Sequence, residues 1–292
     1  MTVQKYFNND DLAVSVWQGK YAQQGDETPK QMHRRMATEF ARIEKEYPNS
    51  LSEDQIFDLF NNFKYIIPQG SIMATLGTNK IASLSNCFVV GQPIDSYAGI
   101  LEKDQELVQL MKRRGGVGLD ISTLRPEGAK VTNAAGSSTG AVSFMERFSN
   151  STREVAQNGR RGALMLTMDV RHPDIEKFIQ IKKDLTKVTG ANISVMLRDD
   201  FMEAVNEDKD YILRWPCTFE NTQWIDGLTR ENGVGFDEKL FPKIYDKIIP
   251  VYSLELNQTP QIEVLAKRVK ARQIWDKLID AAHASAEPGI MY

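Results

Sequence analysis

From residue 28 the apolar and polar positions fall into a helical rhythm. Thr28-Pro29 forms an N-cap and first-turn pair, and Met32, Met36, Phe40 and Ile43 then recur at spacings of three and four, with Arg34, Arg35 and Glu39 off that face. A second helix is predicted from Ser52, where Gln55 completes a capping box and Ile56, Phe60 and Phe63 form the apolar stripe. From Ile81 the texture changes. Short apolar runs rich in β-branched residues, CFVV, GVGLDI, GALMLTMDV and ANISVML, alternate with helical patterns over residues 96–112, 141–157, 173–182 and 199–207. Strands alternating with helices of this length predict βαβ units and a parallel sheet, an α/β fold. A last helix is predicted over 269–284, with Ile274, Leu278 and Ala281 on one face. No Pro/Gly/Ser-rich linker or repeat divides the chain, so a helical region (1–70) and an α/β part (71–292) are expected to form one continuous unit.

Composition narrows the partners more than the fold. The 292 residues are 41% hydrophobic and 26% charged with a net charge of −3, and the arginines are interspersed with acids, so nucleic acid is not expected as a partner. No apolar run approaches the roughly 18 residues of a membrane span. The N-terminus has neither a signal-peptide core nor transit-peptide character, and a soluble protein of the thiol-reducing cytoplasm is expected. Cys87 and Cys217 are too few for a disulfide or zinc framework. His33, His172 and His283 lack ligand spacing, so no metal site is expected; His33 is assigned to the solvated face of its helix, and His172-Pro173 reads as a helix start.

Ligands of parallel sheets gather at the carboxyl ends of strands, which directs attention to three joints. In GQPIDS, Asp95 and Ser96 open a helix, either as a plain N-cap or with the carboxylate free to take ribose hydroxyls. The stretch 112–141 enters and leaves a strand through glycines and carries Arg113, Arg114, Arg125 and Lys130, without the spacing of a dinucleotide fingerprint or a P-loop. In VAQNGRRGALML, Gly159 stops a helix before paired arginines, which are either solvated or suited to phosphate. Cys87, alone before an apolar run, reads on its own terms as a small buried hydrophobe.

Taken together, SLSNCFVV, LMKRRGGVGLDISTLRPEG, TNAAGSSTGAVSFMERFSNSTREVAQNGRRGALML, RHPDIEKFIQIK and TGANISV resemble, in order, the N-terminal half of the catalytic subunit of ribonucleotide reductase. The opening segment, YFNNDDLAVSVWQGKYA with MHRRMATEFARIE, is most similar to the adenosylcobalamin-dependent (class II) branch. The resemblance implies a helical N-terminal region followed by the first half of a ten-stranded α/β barrel. It implies that Cys87 is the first reductant cysteine, which forms a disulfide with a cysteine of the other barrel half as the 2′-hydroxyl leaves as water. Cys217 matches no family cysteine and keeps its packing reading. Ser71, Asn86, Gly115 and Gly116 fall where the family binds substrate. Asp95, Ser96 and Arg125 fall at the effector nucleotide, and Gln157, Arg160 and Arg161 in the loop between effector and substrate.

The same resemblance implies a deoxynucleoside triphosphate or ATP as effector, adenosylcobalamin or a metal-containing radical subunit as radical source, and a thioredoxin-like reductant. It implies a homodimer through the helices over 96–112 and 141–157. The family's radical cysteine, in an Asn-x-Cys-x-Glu loop, is expected after AEPGIMY, on a second polypeptide or on the rest of a longer one. The roughly 30 residues before Met32 are too few for the family's ATP cone, so control of substrate specificity is expected without an overall dATP switch. The alternative is a non-catalytic nucleotide-binding regulatory protein of the same fold.

Overall fold

A computed structural model describes residues 2–155, 162–217, 249–252 and 263–292. The contacts divide the chain into two compact units. The first comprises Met1–Phe88, Gln109–Gly116 and Val155–Gly162; the second comprises Val89–Val108, Val117–Glu154 and Ala163–Tyr292.

In the first unit, α1 (Val3–Tyr6), α2 (Asp11–Lys20), α3 (Pro29–Glu44), α4 (Glu53–Phe60) and α5 (Gly70–Thr75) follow one another. The Ser52 capping box is present: Ser52 Oγ accepts from Gln55 N–H, and Gln55 Oε1 accepts from Ser52 N–H at 2.8 Å. Such a cap stabilises a helix start by about 1 kcal/mol. Helix α3 feeds two apolar clusters, Met32 with Val3, Val14 and Trp17, and Met36, Ala37 and Ala41 with Ile56, Phe60 and Leu76. Its buried face is therefore rotated from the expected stripe. Ile43 is exposed, and His33, assigned to the solvated face, is fully buried with its ring edge-on to Phe63 at 4.7 Å. The reason is size: alanines at 37 and 41 admit a close neighbour where a bulkier pair would hold it off.

The α/β alternation follows the expectation closely. After β1 (Cys87–Val89) come α6 (Tyr97–Met111), β2 (Gly116–Asp120), α7 (Met145–Glu154), β3 (Leu164–Asp169), α8 (Ile175–Gln180), β4 (Asn192–Met196) and α9 (Asp199–Asn206). Then β5 (Asp210–Trp215), β6 (Ile249–Tyr252) and β7 (Glu263–Lys270) form an antiparallel sheet in the order β5-β7-β6, which the sequence pattern had not indicated. The chain continues through α10 (Ala271–Ser285), whose Ile274, Leu278 and Ala281 are buried as expected, to β8 (Gly289–Met291). The helix begins two residues later than predicted because 269–270 still belong to β7.

The main sheet has the order β1-β2-β3-β4-β8. Parallel registers pair Val117 with Leu164, Leu166 with Ile193 and Val195 with Ile290. Between β1 and β2, Gly116 N–H donates to Asn86 O and Val90 N–H to Gly118 O, a rising register that is also parallel. Strands β3 and β4 are buried at most of their positions, as the central strands of a parallel sheet are. The segment AEPGIMY thus supplies the fifth strand of a five-stranded parallel α/β sheet.

Candidate functional site

In the first unit, the residues matched to substrate surround the start of β1. Helix α5 has six residues, too few to persist alone, and Arg35 braces it. The Arg35 guanidinium is held by Asp26 at 2.8 Å and donates to the carbonyls of Met73, at 2.8 Å, and Leu76. Ser71 N–H donates to Asn86 Oδ1 at 3.2 Å, and Asn86 Nδ2 in turn donates to Gln69 Oε1. The hydroxyl of Ser71 is buried and meets no hydrogen-bond partner among the described residues. Cys87, the next residue, is exposed with a free thiol, against the buried-hydrophobe reading.

Gly115 and Gly116 position this corner. Their amides are engaged by the carbonyls of Leu110 and Asn86 at 3.0 and 2.6 Å. A Cβ at Gly115 would come within 2.8 Å of the Phe88 ring, so only glycine lets that strand approach. A cleft of about 790 Å³ in the same unit is lined by Asn86 and Gly70 and by Lys20, Lys80, Lys112 and Arg114, with no acidic residue among its described walls. Arg114 and Arg125, grouped as one joint in the sequence, therefore serve separate cavities. Lys20 and Lys80 escaped the sequence reading because only folding brings residues 60 apart to one wall.

In the second unit, Asp95 and Arg125 meet. Asp95 Oδ1 accepts from Arg125 N–H at 3.0 Å and Oδ2 from Nε at 2.7 Å, while Arg125 Nη1 donates to Lys130 O at 2.8 Å. Ser96 Oγ accepts from Gly99 N–H at 3.1 Å, an N-cap of α6, whereas the Asp95 carboxylate orients the arginine. A cavity of about 360 Å³ is walled by both residues with Tyr97, Thr132, Asn133 and Thr139. It offers one cation, one carboxylate, several hydroxyls and the aromatic rings of Tyr97 and Phe144, a lining suited to a polar, phosphorylated ligand with a flat base. Gln157, Arg160 and Arg161 lie outside the described residues.

The carboxyl ends of β2 and β3 carry a buried charge network. Asp169 accepts from Arg171 Nε and Nη2, both at 3.0 Å, and from Arg198 Nη2 at 2.7 Å. Burial alone would raise its carboxyl pKa, but the two guanidinium groups overcome that and hold it below the usual range. Asp120, hydrogen-bonded to Ser122 Oγ at 2.5 Å, is pushed up by burial. Cys217 is fully buried with Sγ 3.5 Å from Ser122 O, and its thiol is raised well above the ordinary value by burial. His172, expected only to start a helix, is also fully buried, and burial lowers its pKa. Groups of three or more ligand-type side chains able to hold a metal are absent among the described residues. No described helix is long and apolar enough to cross a membrane.

These features define a class: a parallel α/β protein with a strand-borne thiol beside a cationic cleft and a separate arginine-carboxylate cavity at the carboxyl ends of its strands. Residues 85–292 match the family described as "Ribonucleotide reductase, barrel domain", and the chain belongs to that family. Among its relatives is the vitamin B12-dependent ribonucleoside-diphosphate reductase of Thermoplasma acidophilum, 32% identical over 229 residues, covering 77% of this chain and 24% of the relative. The Mycobacterium tuberculosis protein of the same name is 26% identical over 291 residues, covering 96% of this chain and 35% of the relative. The ribonucleoside-diphosphate reductase large subunit of Variola virus is 25% identical over 217 residues, covering 72% and 25%. The chain thus spans about a quarter to a third of the length of these curated relatives.

Proposed function

We propose that this chain supplies the first half-barrel of a ribonucleotide reductase, reducing ribonucleotides to deoxyribonucleotides together with the rest of the barrel. The observation that carries the reading is the exposed thiol of Cys87, one residue from an asparagine already hydrogen-bonded to Ser71, in a chain of this family. The cationic cleft takes the phosphates of the substrate through Lys20, Lys80, Lys112 and Arg114, with Asn86 on its wall. Chemically, the C2′–OH bond of the substrate breaks and a C2′–H bond forms. The hydroxyl leaves as water while Cys87 and a second thiol from the rest of the barrel give two electrons and close a disulfide, later reopened by a thioredoxin-like dithiol.

Adenosylcobalamin, in keeping with the vitamin B12-dependent names of the Thermoplasma and Mycobacterium relatives but not with that of the Variola relative, or a metal-containing radical subunit would supply the radical. The residues present fit the substrate side of that chemistry: Cys87 is accessible, and none of them is assigned to holding the cobalamin. Strands β1 and β8 are the edges of the parallel sheet, and Val89, Ile290, Met291 and Tyr292 are exposed, so the remaining strands pair there. Deoxynucleoside triphosphates or ATP bind the Asp95–Arg125 cavity. Homodimers form through α6 and α7, which Arg147 and Asp104 join at 3.1 Å. Combining the chain with the rest of the barrel, a dithiol and adenosylcobalamin or a radical subunit must yield deoxynucleotide; its absence under every combination ends the catalytic reading. In that event the regulatory alternative stands on one observation, the cavity that joins the Asp95–Arg125 pair to the hydroxyls of Thr132 and Thr139.

A further inference from the structure

The loop that walls the Asp95–Arg125 cavity, residues 127–141, is rooted on one carboxylate. Asp174 Oδ2 accepts from Ala141 N–H at 3.0 Å, and both of its oxygens accept from Glu127 N–H at 3.2 Å, so a single side chain holds both ends of the loop. Inside those ends the loop zips on itself as a short hairpin: Gly128 N–H donates to Ser138 O, Ser138 N–H to Ala129 O, and Val131 N–H to Gly136 O. The fit at the root is tight. Gly140 has φ +87°, and a Cβ there would lie 2.5 Å from Asp174 Oδ2 and 2.7 Å from Glu127 N.

His172 sets the same root from beneath. Asp174 N–H donates to His172 Nδ1 at 3.0 Å, and because a backbone amide only donates, Nδ1 carries the lone pair and the ring proton is on Nε2. Nε2 then donates to Leu124 O at 2.8 Å, one residue before Arg125. His172 therefore anchors the strand-side entry and Asp174 both ends of the loop, and Asp174 is 4% exposed, so water competes little for these bonds.

We infer that Asp174, oriented by His172, is the positioning residue of the effector loop, setting the affinity and discrimination of the cavity without touching the nucleotide. The part of this that concerns nucleotide binding rests on the effector reading of the cavity; the part that concerns the loop root does not. The two are separated by measuring both in the full chain. Amide hydrogen exchange reads the root without any ligand. In Asp174→Ala, Glu127 and Ala141 must exchange at least about tenfold faster, while Val117 and Ile121, which bond Ala163 O and Thr167 O in the sheet, keep their wild-type protection.

Asp174→Asn, which keeps the shape and one acceptor oxygen, must fall between, and Gly140→Ala must reproduce Asp174→Ala at the same two amides. Calorimetric titration with dATP and dTTP then reads the consequence: at least about tenfold weaker binding in Asp174→Ala and partial recovery in Asp174→Asn. Unchanged exchange at Glu127 and Ala141, or faster exchange spread equally to Val117 and Ile121, overturns the inference. Faster root exchange with unchanged affinity in a protein that does bind these nucleotides overturns the positioning role. A wild-type chain that binds neither nucleotide overturns the effector reading, and the exchange result still judges the root.

Discussion

Cys87 and Cys217 sit in opposite surroundings, and the contrast separates a thiol open to reagents from one held in packing. Cys87 is exposed at the start of an edge strand, beside side chains whose hydrogen bonds position one another and leave its thiol free. Cys217 is sealed against Ser122 O, its own carbonyl accepts from Arg171 Nη2 at 2.5 Å, and burial disfavours its thiolate. Chemistry on a thiol needs access and the thiolate; packing needs neither. The buried ends of β2 and β3 follow the second pattern throughout, with each charge of the Asp169 network met by another. In the first unit the Ser71 hydroxyl meets no hydrogen-bond partner among the described residues, and four basic side chains line one cleft.

The contrast breaks most visibly at turnover. Cys87→Ser in the completed enzyme must abolish deoxynucleotide formation with an external dithiol, because a serine hydroxyl cannot join a disulfide, while dATP binding persists; full activity would reduce Cys87 to packing. Thiol labelling sharpens the same point without a partner. A disulfide reagent must modify Cys87 within the native protein orders of magnitude faster than Cys217, which reacts only on unfolding, and equal rates would contradict the burial of Cys217. On the proposed effector reading, Arg125→Ala removes a charge-assisted contact to phosphate, of roughly 1.5–3 kcal/mol, and must weaken deoxynucleoside triphosphate binding about 10- to 100-fold by calorimetry. Unchanged affinity would take Arg125 out of the site.

Acid tests the buried side. Burial lowers His33 to about 4, and His172 is lowered by the same cause, so both bind fewer protons folded than unfolded. Stability from these groups is complete above the unfolded value near 6.5 and declines as pH falls from there through the folded pKa. Melting temperature must therefore drop between pH 6.5 and 4, and His33→Phe must flatten part of that slope. The smallest effect belongs to Cys217→Ser. The hydroxyl keeps the contact to Ser122 O, and unfolding free energy must change by no more than about 1 kcal/mol with turnover intact.

Much of this protein was legible from local chemistry. The capping box at Ser52, the buried face of α10, and the four strands of β1 to β4 with their intervening helices follow from spacing that each segment carries within itself. The antiparallel β5-β7-β6 sheet did not announce itself, because β7 pairs with β5 across more than 40 residues and neither strand is specified without the other. The misplacement of His33 has a similar origin: helical periodicity gives a face, but which edge of the face is covered depends on the neighbour that covers it. The Asp95–Arg125 pair was placed through family resemblance, and its geometry, a carboxylate steering the guanidinium, needed coordinates.

What the sequence determined by itself is the alternation of strand and helix, the glycines that let β1 and β2 approach, and the family to which the ordered motifs belong. Those are properties of residue type and short spacing. Tertiary structure alone decided that Cys87 is open and Cys217 closed, that Lys20, Lys80, Lys112 and Arg114 share one cleft, and that Asp174 ties two ends of a loop more than 30 residues away. Accessibility, electrostatic convergence and hydrogen-bond closure are relations between distant residues, fixed only when chain entropy has been overcome and the surfaces meet.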